Sequence, residues 1–159
     1  MSKKPWNIIF LDIDGVLATR KTHYQYFQEE CVSELNRVIK ETGARIVISS
    51  SWRCHWKFDD LKAVFTDSGI DGNLIVSVTP DLINASRGAE ISKWLRDNKD
   101  IWIRRIAIID DECYDIEQYK ELKSRLVEVE TEKGFTAEDA DKAISILNSE
   151  RRWACSSIG

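Results

Sequence analysis

Two short apolar runs, far apart in the chain, end in the same way. Trp6-Asn-Ile-Ile-Phe-Leu11 runs into Asp12-Ile-Asp14-Gly15, and Arg105-Ile-Ala-Ile-Ile109 runs into Asp110-Asp111, with Asp115 shortly after. Both runs read as buried strands, and a carboxylate at the end of a buried strand costs several kcal/mol unless something compensates it. Two carboxylates close together also repel, so a divalent cation or a shared proton is expected beside them. In an open parallel sheet, ligands gather beyond the carboxyl ends of the strands, where strand order reverses. If the strands ending at Leu11 and Ile109 are neighbours, Asp12, Asp14, Asp110 and Asp111 converge in one crevice. Oxygen-only ligands with room for water and a phosphate describe a Mg²⁺ site and disfavour zinc.

The rest of the chain suits such a layered α/β domain. Its 159 residues fit one compact unit, 1–159, with a core at about 6–147 and a tail, 148–159, that has no clear period. A formal net charge of −4 gives no general attraction to nucleic acid or anionic membrane. No apolar run approaches the ~18 residues of a membrane span, and Met1-Ser-Lys-Lys-Pro5 leads into a strand, so a cytoplasmic location is expected. Cys31, Cys54, Cys113 and Cys155 form no Cys-x-x-Cys pair and read as reduced thiols, Cys113 alone lying close to the acidic pair.

Apolar runs alternate with amphipathic stretches, the pattern of a mainly parallel sheet covered by helices. A polar segment, 18–28, follows the first strand. Helical spacing then predicts a helix over 29–41, with Val32, Leu35, Val38 and Ile39 on one face and Gly43 as its C-cap. A second strand, 45–48, ends in Ser49-Ser50-Ser51-Trp52-Arg53. Further on come a helix over 59–67, a strand over 74–78, a helix over 89–98, the strand 105–109, a helical stretch over 116–122 and a strand over 125–129. A last helix opens at Thr136, with Asp139 placed for a capping box, and buries Ala140, Ala143, Ile144 and Leu147.

Asp12-Ile-Asp14-Gly15-Val16-Leu17 resembles the first motif of the haloacid dehalogenase superfamily, whose members are mostly Mg²⁺-dependent phosphohydrolases. The other motifs follow in order: serines ending a strand, a basic residue opening a helix, and Asp110-Asp111 with Asp115. Val47-Ile-Ser-Ser-Ser-Trp-Arg53 and Arg87-Gly-x-Glu90-Ile91-x-x-Trp94-Leu95 most resemble the small subgroup associated with RNA-repair proteins. The resemblance implies a Rossmann-like three-layer α/β sandwich. The short intervals from Gly15 to Arg45 and from Arg53 to Arg87 leave no room for a large cap domain.

The chemistry of these residue types gives each a role. Asp12 is the candidate nucleophile, since a carboxylate can attack phosphorus and split one hard displacement into two easier ones. Asp14, in the turn opened by Gly15, would protonate the leaving oxygen and later activate water, with its backbone carbonyl available to the metal. Asp111 is expected to ligate the cation, Asp110 to be a second ligand or an orienting group, and Asp115 to hold the loop. Ser49 is favoured over Ser50 for the phosphoryl contact. Arg87 would neutralise Asp12 and the phosphoryl group; the superfamily usually has lysine there, which keeps Lys93 as an alternative.

Each reading has a structural rival. Asp-x-Asp-Gly also occurs in calcium loops, but Val16, Ala18 and Arg20 stand where oxygen ligands would be needed. Asp110-Asp111 would serve equally as a helix N-cap pair, the serines as a turn, and Trp52 as packing. His23 and His55 are too isolated for a zinc or Ser-His site. Arg20, Lys21, His23, Tyr24, Tyr26 and Phe27 after the first motif, and Arg53, His55, Trp56 and Lys57 after the second, interleave cations with rings. That pattern suits a nucleic-acid end, and equally two ordinary polar loops. The expected activity is Mg²⁺-dependent phosphomonoester hydrolysis through Asp12. The alternatives are a polynucleotide 3′-phosphatase and a catalytically idle phospho-ligand binding module.

Overall fold

The computed structural model describes residues 4–149. Five strands form one all-parallel sheet: β1 (Trp6–Leu11), β2 (Arg45–Ile48), β3 (Ile75–Val78), β4 (Ile103–Asp110) and β5 (Leu126–Glu128), in the order β3-β2-β1-β4-β5. Between them lie α1 (Glu29–Thr42), α2 (Trp52–His55), α3 (Phe58–Asp67), α4 (Arg87–Asp97) and α5 (Lys120–Lys123), and α6 (Ala137–Asn148) follows β5. Nearly all of the C-terminal tail lies outside the described residues, as does Cys155.

The three layers follow from strand alternation. Ile9, Leu11, Ile46, Ile48, Ala107 and Ile109 point to one side and pack with Leu35 of α1, Phe65 of α3 and Ala143 of α6. Ile8, Phe10, Val47, Ile106 and Ile108 point to the other and pack with Ile91, Trp94 and Leu95 of α4, together with Leu122 of α5. Strands covered on both faces need near-continuous apolar runs, and these have them. The chain steps outward from β1 through β2 to β3, then crosses back beneath the sheet with α4 and resumes at β4 on the far side of β1. Keeping each crossover right-handed requires the covering helix to change face at that reversal, which is why α4 lies opposite α1 and α3. The reversal opens a crevice at the carboxyl ends of β1 and β4.

No cap domain is inserted: a loop and α1 fill the interval from β1 to β2, and α2 with α3 fill the next. Two expectations shift. The α4 helix begins at Arg87, ahead of the expected 89, because the Ser86 side chain accepts a hydrogen bond from the Ala89 amide at 3.1 Å. The helix expected over 116–122 is reduced to α5, and turns run from Cys113 to Tyr119. Among the described residues no helix is long and apolar enough to cross a membrane.

Candidate active site

Sheet register brings the distant acids together. Leu11 pairs with Ile48 on one side and Ile109 on the other. The Asp12 amide donates to the Ile109 carbonyl and the Ser49 amide to the Leu11 carbonyl, both at 3.0 Å. Asp12, Ser49 and Asp110 therefore stand abreast at the ends of three adjacent strands. Alternation assigns them the face of Phe10, Val47 and Ile108, which is the face covered by α4. Arg87, the first residue of α4, reaches back over this row. Its Nη1 lies 3.3 Å from Asp12 Oδ1 and donates a hydrogen bond to Asp110 Oδ2. Asp115 Oδ2 accepts from the Arg87 amide at 3.2 Å and so fixes the start of the helix that carries the guanidinium.

Burial makes this charge set unstable by itself. Asp12 is 5% exposed and Asp110 fully buried. Loss of water, then repulsion from Asp110, pushes the Asp12 carboxyl up to about 9 against the pull of Arg87. Burial raises Asp110 as well, again opposed by Arg87. Burial disfavours the Arg87 charge, but the carboxylates of Asp110 and Asp12 outweigh it and hold the guanidinium protonated.

Asp12, Asp110 and Asp111 each offer an oxygen, and these oxygens lie within 4.8 Å of one another. Asp12 and Asp111 open on a cleft of about 380 Å³, lined also by Asp14, Gly15, Tyr24, Ser51, Arg87, Glu112 and Thr131, with Asp110 buried behind it. The lining sets four carboxylates, which are hard oxygen donors, against one guanidinium, so a hard divalent cation fits both the charge and the chemistry of the site. Asp111 is held in place from two sides. Thr131 Oγ1 donates to its Oδ2 at 2.9 Å, and a Cβ on Gly15 would lie 2.1 Å from the same oxygen. Gly15 also has φ +79, a conformation that favours glycine. Gly15→Ala is expected to lower stability by about 2 kcal/mol through strain alone. It should also displace Asp111 and so weaken any divalent-cation binding there, both effects being readable by denaturant unfolding with and without Mg²⁺.

A family model covers most of the chain. Residues 8–140 match the family model described as the HAD domain in Swiss Army Knife RNA repair proteins. The chain belongs to this family. Comparison with curated proteins and with solved structures gave no match. The haloacid dehalogenase assignment accounts for the fold and places the chain among phosphohydrolase-type domains in general.

Within this HAD domain the sequence-derived candidates divide. Asp12, Asp110, Asp111 and Arg87 meet, and Gly15 lines the same cleft. The Asp14 carboxylate stands apart from the three-acid group, because its Oδ1 accepts a hydrogen bond from Trp52 Nε1 at 2.9 Å. Ser49 Oγ is buried with no hydrogen-bond partner, while Ser50 Oγ accepts from the Trp52 amide at 3.2 Å and Ser51 is the serine that lines the cleft. Lys93 is turned outward to Asp97 at 3.0 Å, away from the acids.

Arg53, expected to bind substrate, has a different position. Its buried guanidinium pairs with Glu90 at 2.7 Å and donates to the carbonyls of Ser49, Ser50, Thr79 and Pro80. It ties the serine turn to the loop before α4, and a charge satisfied on every side has no donor left for a substrate. Phe27, one of the rings in the interleaved run after the first motif, packs instead in the core against Phe65 and Trp52. Cys113 donates its thiol to the Asp110 carbonyl at 3.3 Å; burial and the nearby acids push that thiol up, so it stays protonated. Ser51 belongs to the serine run that the sequence marks, although Ser49 and Ser50 are the members it favours, and Thr131 carries no such signal. Thr131 sits beyond β5 in an acidic stretch with no motif, and only its place in a carboxyl-end loop could have drawn notice.

Proposed function

We propose that this HAD domain is a Mg²⁺-dependent phosphomonoester hydrolase acting through Asp12. The meeting of Asp12, Asp110 and Asp111 beneath the Arg87 guanidinium is the observation that carries the reading. Asp12, Asp111 and Asp110, with the Asp14 carbonyl, would hold the ion, which when bound supplies positive charge against the phosphoryl oxygens and against Asp12. Asp12 attacks phosphorus as the ester P–O bond breaks, giving an aspartyl-phosphate. Asp14 gives its proton to the leaving oxygen. Water then attacks phosphorus, passing a proton to Asp14 and releasing Asp12 and inorganic phosphate. Arg87 screens the charge that gathers on the three equatorial oxygens. The unpartnered Ser49 hydroxyl sits in the same row as Asp12, and a phosphoryl oxygen would satisfy it.

A nucleic-acid 3′-phosphate is the substrate reading favoured by the cleft's surroundings. Tyr24, Tyr26, Trp56, Ile83 and Tyr114 are large, exposed side chains, and all five belong to loops or turns at the carboxyl ends of the strands. Rings around a capless site would stack bases on either side of a terminal phosphate, each worth ~1–3 kcal/mol. Comparing kcat/KM for an oligonucleotide 3′-phosphate and a nucleoside 3′-monophosphate tests this. The expected result is an advantage of about tenfold or more for the oligonucleotide. Equal efficiency would remove the nucleic-acid reading, and no Mg²⁺-dependent phosphate release from any ester would remove the hydrolase reading itself.

A further inference from the structure

Trp52 has a contact that packing does not require. Its indole N–H donates to Asp14 Oδ1 at 2.9 Å across a large sequence separation, from the short helix after β2 to the turn after β1. The ring is fixed on several sides. Phe27 packs against it with centroids 5.8 Å apart, and Trp56 stacks on it at 5.7 Å with the planes 13° from parallel. The Trp52 amide donates to Ser50 Oγ, and Arg53 grips the Ser49 and Ser50 carbonyls just before it. The indole therefore has one orientation, and that orientation aims its only polar hydrogen at one oxygen of Asp14.

We propose that Trp52 is a positioning residue that assigns the two oxygens of Asp14 their separate tasks. An indole N–H is a donor only. Oδ1 is occupied as its acceptor, so Oδ2 is the oxygen left free to exchange a proton with substrate and water. Without the indole the carboxyl is free to rotate about its Cβ–Cγ bond and to present either oxygen. This rests on the proposed two-step hydrolysis. In the first step the Asp12–phosphorus bond forms, the phosphorus–ester oxygen bond breaks, and the Oδ2 proton moves to the ester oxygen. In the second, water oxygen bonds to phosphorus, Asp12 leaves, and a water proton returns to Oδ2.

Trp52→Phe keeps the ring stack and removes the N–H. A leaving group that needs no proton should scarcely notice the change, whereas an alkoxide should depend on it. For p-nitrophenyl phosphate the expected loss in phosphoenzyme formation is below about threefold. For an alkyl phosphate kcat is expected to fall about thirtyfold or more with KM nearly unchanged. In an Asp14→Asn background Trp52→Phe should add no further loss. A loss equal for both leaving groups, or one that adds fully to Asp14→Asn, would overturn the assignment. Wild-type protein inactive on every ester would instead sink the hydrolase reading on which it rests. A second readout needs no Trp52 variant: one indole N–H resonance should move in Asp14→Ala relative to wild type, and indole signals that all stay in place would count against the contact itself.

Discussion

Asp12→Asn is expected to lower turnover by at least about ten-thousandfold while leaving the melting temperature of the metal-free protein unchanged or higher. The two outcomes have one cause. Asp12 is nearly buried beside Asp110, and its carboxyl is pushed up to about 9 because water is lost and like charge is near. Asparagine has almost the same volume, carries no charge to desolvate and keeps an oxygen near Arg87. It cannot form an aspartyl-phosphate. A simple packing residue would behave in the opposite way, with activity falling only as far as stability falls. Activity retained within tenfold would dismiss covalent catalysis through this residue.

Removing divalent cations is expected to abolish turnover and to expose a stability that declines with rising pH. The sign follows from Asp12. Its folded value, about 9, lies above the ordinary 3.8. Between those limits the unfolded carboxyl is ionised while the folded one holds its proton, so the folded state binds more protons and stability falls as pH rises through that window. Burial of Asp110 adds to the same trend. A bound cation removes the need for the proton, so Mg²⁺ affinity should rise with pH as proton competition fades. Thermal melts across pH 5 to 9, roughly the span between the two Asp12 values, with and without Mg²⁺, test this. The stabilisation by Mg²⁺ should widen with pH; a gap that is constant or narrows would place the ion elsewhere.

The acidic turns were legible because buried strands followed by charge have few explanations. Sheet order then did the rest: β1 and β4 pair directly, so a separation of nearly a hundred residues closes to a few ångströms. The start of α4 was less legible, because Asp115 from a distant loop and the neighbouring Ser86 jointly satisfy its first amides. The shortening of the helix expected over 116–122 to α5 has a similar origin. Gly88 presses against the Tyr119 ring, and Asp115 bonds the Arg87 amide, so tertiary contacts hold that stretch in turns against its local spacing.

Arg53 and Trp52 show the limit most clearly. A cation and a ring after a strand look the same in sequence whether they face solvent or the interior. Arg53 turns inward only because Glu90 and four carbonyls await it, and Trp52 is decided by an acceptor on another loop. Residues whose partners are a few specific polar atoms on other segments cannot be placed by periodicity. Those whose partners come from a whole sheet face can.

Acid quenching of the protein after brief exposure to a phosphate-labelled ester and Mg²⁺, followed by peptide mapping, bears most directly on the chemistry placed at Asp12. Label is expected on the peptide containing Asp12, lost on treatment with hydroxylamine, and absent when Mg²⁺ is withheld or when Asp12 is asparagine. Phosphate released from a Mg²⁺-dependent turnover with no label on that peptide under any quench, or label that persists in Asp12→Asn, would contradict it.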